Sequence, residues 1–202
     1  MKQVEFYFDL SSPWTYFAFH NIQPIVAEAD ASIIWKPFLV GGVFNAVNQG
    51  VYALRETPEN PKMQFMFKSL KDWAAWSDLP LNFPSPYHPA KSVLAMRLCC
   101  ALENEQALLK EFATAAFESY FVREENLDDP AVLASVANSI GADGENLVQQ
   151  AGKDEIKNKL KENTQAVIDR GGFGSPTIFV NVTDMYFGND QLPLVRKALE
   201  RS

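Results

Sequence analysis

The tetrad Ser11-Ser12-Pro13-Trp14 stands one residue, Leu10, after an apolar run, Val4-Glu5-Phe6-Tyr7-Phe8-Asp9. Serine favours the cap before a helix and proline its first turn, so the tetrad marks a helix start. A helix start carries unpaired amide N–H groups and partial positive charge, and both stabilise an anion. A serine hydroxyl placed there can donate a hydrogen bond to the same anion. Ser12, directly before the proline, is the leading candidate for chemistry and Ser11 the second; plain capping of the helix is the alternative role. No cysteine lies near the tetrad, and serine forms no mixed disulfide, so redox exchange is not expected at this corner. Trp14 should narrow the mouth of a site here and make it apolar, or else join the core.

The elements that must position this corner follow from periodicity. Residues 4–9 are rich in aromatic and β-branched side chains and read as a buried strand. The helix opened by Pro13 should run to about residue 29, with Pro24 inside it expected to kink or split it. Residues 31–38 form a second strand, giving a β-α-β opening. From about residue 45 the pattern changes. Pro61 opens a helix with Met63, Phe67, Leu70 and Ala74 at helical spacing; a Pro-rich loop, 80–89, precedes helices over 90–102 and 105–121. Asp129-Pro130 starts another helix that stops at Gly141, and Asp143 opens a short one. A long charged helix, 154–170, ends at Gly171-Gly172. Strands at 177–181 and 185–187 then form a hairpin, and a last helix spans 191–200.

The chain has 202 residues, 47% of them hydrophobic, which suits one domain with a large insertion. A net charge of -7 argues against nucleic acid, whose binding needs a basic surface. No uncharged apolar run approaches the roughly 20 residues that span a bilayer. The N-terminus shows no secretory signal, so a soluble cytoplasmic protein is expected. Cys99 and Cys100 are neighbours in a helical stretch, a poor geometry for a disulfide. His20 and His88 have no metal-ligand spacing, and no metal site is expected. The glycosylation-like triplet Asn181-Val182-Thr183 has no secretory context to support it.

Several motifs, in order along essentially the whole chain, carry a family resemblance. They are Phe8-Asp9-Leu10-Ser11-Ser12-Pro13, Trp35-Lys36-Pro37-Phe38-Leu39, Gly42-Val43-Phe44, Pro61-Lys62, Trp73-Ala74 with Leu79-Pro80, Phe173-Gly174-Ser175-Pro176-Thr177 and Phe187-Gly188-Asn189-Asp190. With them the chain resembles the 2-hydroxychromene-2-carboxylate isomerase family, related to kappa-class glutathione transferases and disulfide oxidoreductases. The resemblance implies an α/β thioredoxin-like fold with a large all-helical insertion between its β-α-β and β-β-α halves. The expected division is residues 1–44 and 171–202 for the two halves of the thioredoxin-like domain and 45–170 for the insertion.

The same resemblance implies a site. Ser12 matches the catalytic serine, donating to the thiolate of bound reduced glutathione, whose pKa a helix start lowers. Ser175-Pro176 matches the cis-proline element, whose preceding main chain pairs with the glutathione cysteine. Gly188-Asn189-Asp190 matches the segment that meets the glutathione α-amino and α-carboxylate groups, with plain N-capping as the alternative. Trp14, Tyr87, Asn60 and Lys62 are the candidates on the second-substrate side. The implied reaction is cis/trans isomerisation of a conjugated aromatic carboxylate, in aromatic catabolism, by a borrowed sulfur nucleophile. The rivals are a kappa-like glutathione transferase and a non-catalytic binding module. The resemblance also makes a homodimer the expected assembly. This chain departs from the family at Phe44, where the isomerases have a lysine, at Glu56-Thr57, where they have Asn-Arg, and at Ser175, where an aliphatic residue is common.

Overall fold

The structure, a computed structural model, describes residues 2–55, 57 and 59–201, with the backbone alone for residues 53–55. Four strands form one sheet in the order β2-β1-β3-β4. β1 (Gln3–Phe8) pairs parallel with β2 (Ser32–Pro37) and antiparallel with β3 (Thr177–Val180). β4 (Asp184–Phe187) closes the edge in an antiparallel hairpin with β3. The thioredoxin-like order read from the sequence is thus realised, with a helical insertion between the two halves.

Alternation along β1 distributes its side chains between two faces. Val4, Phe6 and Phe8 join the main core, whereas Tyr7 joins a smaller one with Phe38, Val43, Val167 and Phe179. On the main side lies α1 (Pro13–Glu28), whose Phe19 ring packs 4.4 Å from Trp35 and 5.2 Å from Phe117. Tyr16 stacks on Phe121 at 5.2 Å and donates its hydroxyl to the Pro80 carbonyl. Phe117 and Phe121 belong to α6 (Gln106–Phe121), so α1 is gripped between the sheet and the insertion. Truncating a buried aromatic of this kind costs about 3–5 kcal/mol. Pro24 does not split α1. It sits on the exposed side while Ile22, Ile25 and Val26 are buried, and burial of that face outweighs the missing hydrogen bond.

Two short helices, α2 (Val40–Val47) and α3 (Gly50–Arg55), were not anticipated. Gly41 and Gly42 are poor helix formers. Tertiary contacts override that propensity: Val40 and Val43 are buried, and the Leu39 N–H donates to Thr164 Oγ1 at 2.9 Å. A Cβ on Gly42 would lie 3.0 Å from Thr164 Cγ2, so glycine lets α2 approach α9 (Asp154–Asp169) closely. Between them stand α4 (Pro61–Ser77), α5 (Val93–Ala101), α7 (Pro130–Ser139) and α8 (Gly144–Ala151). Cys99 and Cys100 are buried and unbridged on α5. The chain ends in a 3₁₀ turn (Asn189–Gln191) and α10 (Leu192–Glu200). Among the described residues no helix is long and apolar enough to cross a membrane.

Candidate active site

Ser12 caps α1 from an extended conformation, and its Oγ accepts the Thr15 N–H at 3.2 Å. The same hydroxyl donates to the main-chain carbonyl of Ser175 at 3.1 Å. The cap thus uses a lone pair of this oxygen and the contact with Ser175 its hydrogen. Pro13 has no N–H and Thr15 donates to Ser12, so the Trp14 amide is the first helical donor left for an anion.

The other wall of the corner is the Gly172–Pro176 turn. The Ser175–Pro176 peptide is cis, and both residues are buried. Ser175 Oγ accepts the Asp9 N–H at 3.0 Å and lies 2.7 Å from Thr15 Oγ1. The Ser175 side chain thus ties the turn to the end of β1 and to the first turn of α1. Beneath the corner lies Asp9, fully buried. Its Oδ1 accepts the Ser11 N–H at 2.9 Å and its Oδ2 the Val40 N–H at 2.8 Å. Burial pushes its carboxyl above the usual range, opposed by these amides and by the hydroxyls of Ser92 and Ser11.

A cavity of about 270 Å³ opens at this corner. Ser11, Ser12, Pro13, Trp14, Gly174 and Ser175 form its polar and main-chain side. Opposite them stand Val40 and Phe44 of α2, Asn48, Val51 of α3, Met63, Met66 and Phe67 of α4, then Phe83, His88 and Phe187. A Cβ on Gly174 would come within 2.7 Å of the Phe187 ring, so glycine leaves that ring room beside the corner. A second cavity, about 430 Å³, shares Ser11, Val40, Phe44 and His88 with the first and extends toward Lys91, Ser92 and Asp128.

The structure brings Ser11, Ser12, Trp14 and Ser175 together on one cavity. Pro176 and Gly188 are joined behind it, the Gly188 N–H donating to the Pro176 carbonyl at 3.3 Å. Gly188 has φ +91°, and a Cβ there would lie 2.8 Å from the Asp190 carboxylate, which favours glycine. Asn189 is buried, and its Oδ1 accepts from Asn21 Nδ2 at 3.0 Å; its side chain faces α1. Asp190 is exposed, with Gln191 Nε2 3.4 Å from its Oδ2. Asn60 caps α4 by accepting the Lys62 N–H at 2.9 Å, Lys62 is exposed, and Tyr87 is 48% exposed. None of these three lines the cavity. Of the expected departures from the resemblance, Glu56 lies outside the described residues and Phe44 lines the cavity.

Sequence reading missed most of the apolar wall: Val51, Met66, Phe83, His88 and Phe187. Met63 and Phe67 had been read as a helix face alone. Their signal was available, because Met63, Met66 and Phe67 share one side of α4.

A DSBA-like thioredoxin domain matches residues 3–200. The chain belongs to that family. Within it, a 2-hydroxychromene-2-carboxylate isomerase of Sphingobium xenophagum is 29% identical, with 98% of each chain covered. Glutathione s-transferase kappa 2 of Caenorhabditis elegans is 27% identical over 96% of this chain and 90% of its own. A solved 2-hydroxychromene-2-carboxylate isomerase superposes with a TM-score of 0.83 at 23% identity, covering 98% of this chain and 95% of the other. The likeness to isomerases and kappa transferases read from the motifs therefore stands over nearly the full length.

Proposed function

We propose that this chain is a glutathione-dependent enzyme that isomerises a conjugated aromatic carboxylate, with reduced glutathione held at Ser12. The observation that carries this reading is the Ser12 hydroxyl at the start of α1, hydrogen-bonded to the Ser175 main chain on one wall of the cavity. Bound glutathione would supply the sulfur nucleophile that makes a double bond rotatable by reversible addition. The chain's own part is to hold that sulfur as an anion. Ser12 turns its donated hydrogen bond from the Ser175 carbonyl to the sulfur, and the Trp14 N–H adds the field of the helix start. The Ser175 main chain receives the cysteine backbone, and the exposed Asp190 carboxylate pairs with the α-amino group. The fit is less direct at Asn189, whose side chain is engaged with Asn21. Phe44, Phe83 and Phe187 orient the acceptor and exclude water. Lys62, Asn60 and Tyr87 stand outside the cavity walls, so a role for them toward the acceptor's carboxylate or ring would need an acceptor that reaches beyond the cavity.

One observation favours a second reading. Among the described side chains of the 270 Å³ cavity, His88 is the only titratable one. An uncharged acceptor suits such walls, and the same corner would then serve a glutathione transferase.

The experiment is calorimetric titration of reduced glutathione into wild type and Ser12→Ala at pH 7, with thiolate absorbance followed in parallel. Saturable binding with a thiolate signal that Ser12→Ala removes is expected; no binding at millimolar glutathione overturns both enzymatic readings. Turnover then separates them, because an isomerase works with catalytic glutathione and a transferase consumes it. A homodimer is part of the proposal, through the face of α4 that leaves Phe65 68% and Trp76 72% exposed. Sedimentation velocity of wild type and Trp76→Glu tests it, the variant being expected to dissociate.

A further inference from the structure

The corner contains a closed hydrogen-bonded circuit in which Asp9 takes part four times. Its main-chain N–H donates to Ser175 Oγ at 3.0 Å, and its carbonyl accepts the Ser12 N–H at 3.3 Å. Its carboxylate accepts the Ser11 N–H at one oxygen and the Val40 N–H at the other. The circuit closes through the Ser12 hydroxyl, which donates to the Ser175 carbonyl at 3.1 Å. The carboxylate is fully buried, and amides and hydroxyls, including that of Ser92 beside α5, surround it. Such a group is costly to bury unless its hydrogen bonds are complete, so it is retained where those bonds set a geometry.

Each partner bears on the site. Ser11 precedes the candidate catalytic serine, so holding its N–H fixes the peptide from which the Ser12 side chain departs. Val40 opens α2, which carries Phe44, and Ser11, Val40 and Phe44 line both cavities. Ser92 lines the larger one.

We propose that Asp9 is the positioning residue of this site: by clamping the Ser11 and Val40 amides it sets the direction of the Ser12 hydroxyl and the distance to the acceptor wall. This rests on the reading that Ser12 holds a glutathione thiolate. Asp9 touches neither glutathione nor acceptor in this role and acts only through Ser11, Ser12 and α2.

A purely structural Asp9 and a positioning Asp9 differ in one measurable respect, which is coupling to Ser12. Asp9→Asn keeps the shape of the side chain but turns an NH₂ toward one of the two clamped amides, so one clamp is lost. The thiolate-to-thiol ratio of bound reduced glutathione is read by ultraviolet absorbance at pH 7 in wild type, Ser12→Ala, Asp9→Asn and the double variant. In the wild-type background, Ser12→Ala is expected to lower the ratio about tenfold, the size of one hydrogen bond to a charged group. In the Asp9→Asn background the same substitution is expected to lower it less than about threefold, since the hydroxyl is no longer aimed. A change in local charge would act equally in both backgrounds and cancels from the comparison. Equal effects of Ser12→Ala in the two backgrounds overturn the proposal, even if Asp9→Asn lowers the melting temperature. If Asp9→Asn does not fold, Ser92→Ala removes one partner of the carboxylate, and the effect of Ser12→Ala must then shrink in the same direction. No shrinkage overturns the assignment. Failure of wild type to bind glutathione is a distinct result: it overturns the proposed function and this assignment with it.

Discussion

The two sides of the cavity are built by opposite means. On the Ser12 side, β1, α1 and the Ser175 turn meet through hydrogen bonds of 2.7–3.3 Å, many to main chain, with little freedom left. On the facing side, α2, α3, α4 and the 83–88 loop contribute mainly Phe, Met and Val side chains, with Asn48 and His88 among them. Directional bonds fix where charge is held, whereas apolar contacts tolerate a change of partner. Under the proposed function, the corner would hold the sulfur and the facing wall would select the acceptor.

Substitutions on the two sides should separate accordingly. The largest effect is expected from Ser12→Ala, with kcat/KM for the glutathione-dependent reaction falling about 10- to 100-fold and acceptor KM little changed. An equal loss for both substrates would erase the distinction between the two sides. Ser175→Ala leaves the Asp9 N–H buried without its acceptor and should cost about 1–3 kcal/mol in urea unfolding, with reduced glutathione affinity alongside. Met66→Ala, on the apolar side, should raise acceptor KM about three- to tenfold while the glutathione Kd stays within error. A control comes from His20, on α1 edge-on to Tyr16 and Phe19. Burial holds its imidazole below the ordinary value of 6.5, so the unfolded chain takes up the proton first. The stability contributed by keeping it neutral is complete above pH 6.5 and is lost as pH falls toward the folded value. His20→Gln should flatten that slope in unfolding midpoints without touching either side of the site. The smallest effect is expected from Asp72→Asn, which breaks the exposed Lys68–Asp72 pair and should change stability by less than about 0.5 kcal/mol.

How far the sequence reached follows the same division. The Ser12 corner was legible because a cap, a first-turn proline and a preceding apolar strand are local signals. For Ser175 only the main chain was assigned to a ligand. The role of its side chain became visible only once Asp9 and Thr15, distant in sequence, stood beside it. Asn189 was assigned to a ligand from the family resemblance, yet it turns toward Asn21 of α1, a contact 168 positions away. α2 escaped notice because Gly41 and Gly42 oppose helix formation, and contacts with Thr164 and Asp9 overcome that preference.

From the sequence by itself came the order of strands and helices, the helical insertion, the helix start that carries Ser12 and the family likeness. The elements rest on periodicity, caps and turns, which act over a few residues, and the likeness rests on motifs shared with a known family. The tertiary structure alone decided which apolar side chains face the corner, that Ser175 bonds through its hydroxyl, and that a buried Asp9 joins β1 to α2. Those outcomes depend on groups brought together from opposite ends of the chain, where hydrogen-bond geometry and close contact, not local preference, select the partner.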